Sequence, residues 1–100
     1  MSLESLSRRI EEKMKLAPPV SASVKFDFGD DGVIFIDGTQ TPPVLSHDDE
    51  DADCTLVCSA ETFEKILDGV QDPNIAFMMG KLKVKGSIGL AMKLNAILED

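Results

Sequence analysis

Three acidic residues at alternate positions, Asp49, Asp51 and Asp53, are the first feature of the sequence that suggests chemistry. Alternating carboxylates open the calcium-binding loop, whose sixth position is glycine and whose twelfth is a glutamate that binds the ion with both oxygens. Here the sixth position is Cys54 and the twelfth is Ala60. The pattern therefore favours a solvated acidic loop over a calcium site.

His47, Cys54 and Cys58 are the only histidine and the only two cysteines, so any mixed zinc site would need all three. On one strand, residues four apart lie about 13 Å from each other, whereas a disulfide needs less than about 7 Å. The even spacing also predicts that both cysteines share one buried face. We expect two free thiols in a reducing compartment, with no metal and no cofactor.

Gly86 and Gly89 follow a lysine-rich stretch, and such a loop can clamp a nucleic-acid backbone. The net charge of −8 argues against a nucleic-acid partner, so a tight turn into a last helix is the better interpretation. Ser87 between these glycines does not form the G-x-S-x-G motif of a serine hydrolase. Nothing else in the sequence positions an acid, a base or a nucleophile, and we expect no enzyme activity.

Apolar residues recur with the helical period in some segments and alternate with polar residues in others. These two patterns predict the helices and strands that carry the residues above. One hundred residues support a single domain, residues 1–100. Early hairpins followed by helices indicate an α+β fold with a five-stranded, mainly antiparallel sheet covered by helices on one face. The third strand should lie at an edge because it contains two prolines. The predicted helices cover 2–16, 60–70, 73–80 and 90–98, and Ser59 and Asp72 are the predicted N-caps of the second and third. The predicted strands cover 23–28, 33–36, 39–45, 52–58 and 81–85.

The ends of the sequence and its apolar runs bear on location. No apolar run approaches the roughly 18 residues of a membrane span. The first residues have neither the basic nor the apolar part of a signal peptide. We therefore expect a cytoplasmic protein.

The last third of the sequence resembles a known family. The stretch 77–94, FMMGKLKVKGSIGLAMKL, resembles the signature of the sterol carrier protein type two family: an aromatic residue, then G-K-L-K-[IV]-x-G, then G-L-A-x-K-L. The preceding strand 52–56 and helix 61–69 occur in the family's order, so the resemblance covers about 20–98. The sequence shows neither the peroxisomal C-terminal tripeptide nor the fused enzyme domains of other members, so we expect a stand-alone, bacterial-type member.

The resemblance implies an apolar tunnel that binds and moves a fatty acid, a fatty acyl-CoA, a phospholipid or a sterol. The residues that it places in the tunnel are Phe77, Met78, Leu82, Val84, Ile88, Leu90, Met92, Leu94 and Ile97. The candidates for contact with an anionic head group are Lys81, Lys83, Lys85 and Lys93.

Two other functions remain open at this point. The apolar face of residues 90–98 would also suit a protein–protein interaction module that has no ligand of its own. The domain would equally serve as an accessory module that presents substrate to a lipid-metabolising enzyme. The expected partners are thus a lipid or acyl-CoA ligand, with transient contact to a membrane or to such an enzyme.

Overall fold

The computed structural model describes residues 3–16, 20–40 and 42–99. In the described part of the chain the helices are α1 (Leu3–Leu16), α2 (Ala60–Leu67), α3 (Pro73–Met78) and α4 (Ile88–Glu99), and a short 3₁₀ turn covers Gly29–Asp31. The strands are β1 (Ser23–Asp27), β2 (Val33–Asp37), β3 (Val44–Ser46), β4 (Cys54–Val57) and β5 (Lys83–Gly86).

The five strands form one sheet in the order β3-β2-β1-β4-β5. All neighbours are antiparallel except β1 and β4, which run parallel with Val24 opposite Cys54. Burial alternates along β1, β2 and β4, so one face of the sheet packs against the helices. The predicted α+β class and mainly antiparallel sheet are confirmed.

The connection from β3 to β4 is the acidic loop of residues 47–53. This loop has to cross from the edge of the sheet to the far side of β1. Lys25 projects from the face opposite the helices, because Val24 on one side of it and Phe26 on the other are buried, and it forms an ion pair with Asp49 at 2.7 Å. The loop ends where the backbone N–H of Asp53 donates to the carbonyl oxygen of Ser23 at 3.1 Å.

Two helices begin at the capping residues that the sequence indicates. The Ser59 hydroxyl accepts a hydrogen bond from the Thr62 N–H at 3.0 Å and starts α2. The Asp72 carboxylate accepts from the N–H groups of Asn74 and Ile75 and starts α3. Each cap satisfies backbone donors that the first helical turn leaves free.

Several predicted boundaries shift, each for a local reason. The third strand, predicted over 39–45, is only Val44–Ser46, because proline has no N–H to donate to a sheet. The fifth strand begins at Lys83 instead of 81, because the N–H groups of residues 81 and 82 both donate to the Ala76 carbonyl and close α3. The first helix matches its prediction over Leu3–Leu16, and residue 2 lies outside the described residues.

Three phenylalanines form the centre of the core. Phe63 of α2 packs its ring 5.0 Å from that of Phe26 and 5.1 Å from that of Phe28. The side chains of Phe26 and Phe63 are almost completely buried. An ion pair of 2.6 Å joins Arg9 of α1 to Asp68, the residue that follows α2.

Candidate functional site

Helix α4 covers the β4–β5 half of the sheet and touches the other three helices. It begins at Ile88 instead of residue 90, because the Ser87 hydroxyl accepts a hydrogen bond from the Leu90 N–H at 3.2 Å. Its inward side is buried and consists of Leu90, Ala91, Leu94 and Leu98. Five of the nine residues predicted to line a tunnel therefore lie on this helix.

A groove of about 590 Å³ lies beside the first half of α4. Small-molecule pockets usually measure about 300–1,000 Å³, so the groove is large enough for a lipid chain. Of its charged lining residues, Asp53 already accepts hydrogen bonds from the N–H and hydroxyl of Ser23 at 3.1 and 3.2 Å. The groove is lined by Val20, Ala22, Asp53, Ser87, Gly89, Leu90 and Lys93.

A second feature is a group of large apolar side chains that α3 and α4 expose to solvent, here called the apolar surface. Its members are between 51% and 83% exposed. Helix α3 packs against α4, and Ala76 is its only fully buried residue besides Pro73. The apolar surface consists of Ile75, Phe77, Met78, Met79, Ile88 and Met92.

Asn95 is a polar residue of α4 that the sequence analysis missed. Its Oδ1 atom is buried and has no hydrogen-bond partner among the residues that the structure describes. Because Asn95 follows Met92 by three positions and Ile88 by seven, it lies on the same side of α4 as the apolar surface. An unpaired buried acceptor typically costs about 1–3 kcal/mol. The available signal was an amide within the apolar run 94–98.

The nine predicted tunnel residues fall into two groups. Leu82, Leu90 and Leu94 are buried in the core, and Val84 and Ile97 are half-buried against it. The other four belong to the apolar surface and are more than half exposed; they are Phe77, Met78, Ile88 and Met92. The predicted tunnel residues are thus divided between the core and the surface.

The four predicted head-group lysines do not converge on one point. Lys93 lines the groove, and Lys81 is exposed in the turn after α3. Lys83 and Lys85 alternate with Val84 on β5 and so lie on the sheet face opposite the helices. Only Lys93 therefore lies beside a cavity.

Both cysteines are free and buried, as their spacing predicts. Burial raises the pKa of the Cys58 thiol to about 12, and the Asp27 carboxylate adds to the effect. Burial also raises the pKa of Cys54. His47 shares a hydrogen bond of 3.1 Å with the Ser7 hydroxyl of α1.

Two features are absent from residues 3–16, 20–40 and 42–99. No group of three or more His, Cys, Asp or Glu side chains there could hold a metal ion. No helix there is both long and apolar enough to cross a membrane.

The arrangement of sheet and helices is that of a sterol carrier protein domain. The structure superposes on sterol carrier protein domain 2 of Helicoverpa armigera with a TM-score of 0.77 and 26% identity, covering 94% of this chain and 83% of that one. It has the same fold as sterol carrier protein 2 of Aedes aegypti, solved in complex with palmitate, with a TM-score of 0.75, 22% identity and coverage of 98% and 96%.

Sequence comparison gives the same answer. Residues 3–99 match the SCP-2 sterol transfer family, and the chain belongs to that family. Human sterol carrier protein 2 is 45% identical over 52 residues, which are 52% of this chain and 10% of that protein. Rat hydroxysteroid dehydrogenase-like protein 2 is 37% identical over 71 residues, which are 69% of this chain and 14% of that protein. The chain thus spans only a small part of the length of these relatives.

Proposed function

We propose that this protein binds and transfers a lipid inside the cell without catalysing a reaction on it. The apolar surface beside α4 carries the proposal, because a protein that acts alone rarely exposes so many neighbouring large apolar side chains. Membership of the SCP-2 sterol transfer family and the palmitate complex of the mosquito protein support it. The candidate ligands are fatty acids, fatty acyl-CoA, phospholipids and sterols.

We place the lipid chain against the side of α4 that carries Ile88, Met92 and Asn95. The apolar surface would be its entrance, and Leu82 and Leu94 would lie behind it. Burying a methylene group contributes about 0.8 kcal/mol, so ten to twelve methylenes give roughly the 8 kcal/mol of a micromolar complex. No catalytic group is needed for this binding.

Uptake of a fluorescent fatty acid and a fluorescent sterol, followed by titration and native mass spectrometry, tests the proposal. We expect saturable binding of one molecule per protein. Met92 is 67% exposed, so Met92→Asp should leave the fold intact and weaken binding about tenfold or more. Leu16→Asp is the matched control, because Leu16 is 91% exposed on α1. The Leu16→Asp protein should bind lipid normally.

A third variant separates the two sides of α4. Gly89 lines the groove and a Cβ atom added there meets nothing within 4 Å, so we expect Gly89→Leu to place its side chain in the groove. We expect this variant to keep its affinity for lipid. Loss of binding in Gly89→Leu but not in Met92→Asp would show that the ligand binds in the groove. If the protein bound neither the fatty acid nor the sterol, the proposal would be contradicted. The protein–protein interaction module would then be the remaining function.

Asn95 indicates which polar group the ligand carries. Its unpaired Oδ1 can accept a hydrogen bond from a lipid hydroxyl, whereas a carboxylate has no hydrogen to give. We therefore expect the protein to prefer a sterol or a long-chain alcohol to the fatty acid of matched length.

Replacing Asn95 with leucine should stabilise the free protein and remove that preference. The free energy of unfolding should rise by about 1–2 kcal/mol, because the unpaired acceptor is lost. Urea unfolding and competition between the alcohol and the acid measure the two effects. Ala96→Leu, at an exposed position of the same helix, is the control. An Asn95→Leu protein that is less stable, or that keeps the preference, would contradict this role.

A further inference from the structure

We propose that the outer edge of strand β5, here called the β5 edge (Lys83–Gly86), pairs with an extended segment of a partner protein in which acidic and apolar residues alternate. Such a segment adds a sixth strand to the sheet, and hydrogen bonds between the two backbones hold it in place. The strand order, the direction of the backbone groups and the charge of the edge carry the proposal, which is independent of the lipid binding proposed above.

The β5 edge is an open edge of the sheet. Strand β5 pairs with β4 on one side, and no strand lies on its other side in the part of the chain that the structure describes. The Ser87 N–H donates to the Asp53 carbonyl oxygen, and in an antiparallel pair such bonded positions recur at every second residue. The backbone groups of both lysines of β5 therefore point to β4. Those of Val84 and the N–H of Gly86 point outward, where an added strand can bond to them.

The side chains of the β5 edge differ on the two faces of the sheet. Lys83 and Lys85 are exposed on the face opposite the helices, whereas Val84 is half-buried on the helix face. Among the described residues, no acidic side chain forms an ion pair with either lysine. Asp27 lies on the same face but two strands away, at about 10 Å. A strand laid against this edge places every second side chain beside a lysine and the others beside Val84, which suits alternating acidic and apolar residues.

The two lysines also determine which strands the edge rejects. Two copies of the β5 edge would place lysine against lysine, which disfavours pairing of the protein with itself. Attraction of an acidic strand and repulsion of a second copy together give specificity. The other edge of the sheet is protected differently, because β3 has only three residues and follows Pro42 and Pro43, which have no N–H. The β5 edge contains no proline.

An acidic protein segment suits this edge better than a nucleic acid does. The phosphate backbone of a nucleic acid only accepts hydrogen bonds, so it leaves the outward carbonyl oxygen of Val84 unpaired. The net charge of −8 repels a long polyanion. A short segment meets the local charge instead, and residues 73–98 contain four lysines and no acidic residue.

Peptides that differ only in charge test the electrostatic part of the proposal. The probe is a labelled hexapeptide of alternating glutamate and valine with blocked ends, here called the glutamate peptide, titrated by fluorescence anisotropy at low salt. We expect saturable binding of one peptide per protein. The same hexapeptide with lysine in place of glutamate should bind about tenfold more weakly, because it places like charges side by side.

Two N-methylated forms of the glutamate peptide test the backbone pairing. One carries the methyl groups on its glutamates and the other on its valines. The N–H groups of a strand alternate between its two edges, so only one of these peptides keeps the N–H groups that face β5. Their affinities should differ about tenfold or more, because two or three hydrogen bonds are lost in only one of them. Equal affinities would overturn the proposal.

A pair of charge variants tests the place of binding. Lys83→Glu should weaken binding of the glutamate peptide about fivefold or more, because a cross-strand attraction becomes a repulsion. Lys15→Glu, the same change at an exposed position of α1, should leave binding nearly unchanged. The Lys83→Glu protein should also bind the lysine peptide more tightly than the natural protein does. Equal effects of the two substitutions would show that the peptide binds elsewhere and would reject the β5 edge.

Amide hydrogen exchange locates the pairing at single residues. With the glutamate peptide bound, the N–H groups of Val84 and Gly86 should exchange about tenfold more slowly or slower still. The Thr55 N–H, which already faces β5, should not change. Absence of peptide binding, or of protection at Val84, would overturn the proposal. An oligonucleotide that binds more tightly than the glutamate peptide would also overturn it, in favour of a nucleic-acid partner. These measurements contain no lipid, so failure of the proposed function would not alter their outcome.

Discussion

Near pH 8, the Cys58 thiol of the folded protein is expected to react with iodoacetamide about a thousandfold more slowly than an exposed cysteine, because the thiolate is the reactive form. Burial, assisted by Asp27, raises the pKa of Cys58 from 9.0 to about 12. Three pH units correspond to a thousandfold smaller thiolate fraction. A time course of alkylation followed by mass spectrometry measures the rate, and the same protein in urea is the reference. Rapid labelling of the folded protein would contradict the prediction.

The raised pKa of Cys58 also makes the free energy of unfolding depend on pH in the alkaline range. Above pH 9 the unfolded thiol loses its proton while the folded thiol keeps it until about pH 12. The unfolded state then binds fewer protons, so the free energy of unfolding falls as pH rises, by about 1.4 kcal/mol per unit. This contribution is fully present below pH 9. Cys58→Ala should show a shallower decline in urea unfolding across this range, and parallel curves for the two proteins would refute the assignment.

Gly86→Ala should lower the free energy of unfolding by about 3 kcal/mol, because two effects add. Gly86 has φ of +89°, a conformation that side chains disfavour. A Cβ atom there would also overlap the carbonyl oxygen of Asp53 and approach the Cα of Cys54 at 3.4 Å. The turn into α4 cannot relieve this overlap easily, because the Ser87 N–H donates to the same carbonyl at 3.0 Å.

Gly89→Ala provides the matched comparison in urea unfolding. Gly89 lies in the first turn of α4, and an added Cβ atom meets nothing within 4 Å. Alanine is the better helix former, so this variant should be up to about 1 kcal/mol more stable than the natural protein. Alanine should thus lower the free energy of unfolding at one glycine of the G-x-x-G stretch and raise it at the other. If both variants lost the same stability, the argument from the Gly86 backbone would be wrong.

Local patterns predicted most of the elements, but not the way in which strands pair. Alternation identified β1, β2 and β4, and the caps Ser59 and Asp72 located two helices. The parallel pairing of β1 with β4 joins residues 30 positions apart, Val24 and Cys54. Hydrophobic periodicity records which face of a strand is buried and carries no information about its neighbour.

The sequence predicts which segment carries the candidate site, but it does not predict which of its side chains are buried. The motif over 77–94 predicts a site formed by α3, β5 and α4, and within that stretch Leu94 is buried while Met92 is exposed. Both are large and apolar, so composition cannot distinguish them; only the packing of α4 against the sheet and the other helices does. Asn95 was missed because its unpaired oxygen is visible only in three dimensions.

The parallel β1–β4 pair also joins the two halves of the sheet. The β1–β2 hairpin needs only contacts between neighbouring segments, whereas pairing Val24 with Cys54 must first close a loop of 30 residues. Strand β5 pairs with β4 alone, so within the sheet the half proposed to hold lipid is joined to the hairpin only through the β1–β4 pairing. A ligand bound there would add its binding free energy to that half, and we expect the ligand-free protein to unfold from it first.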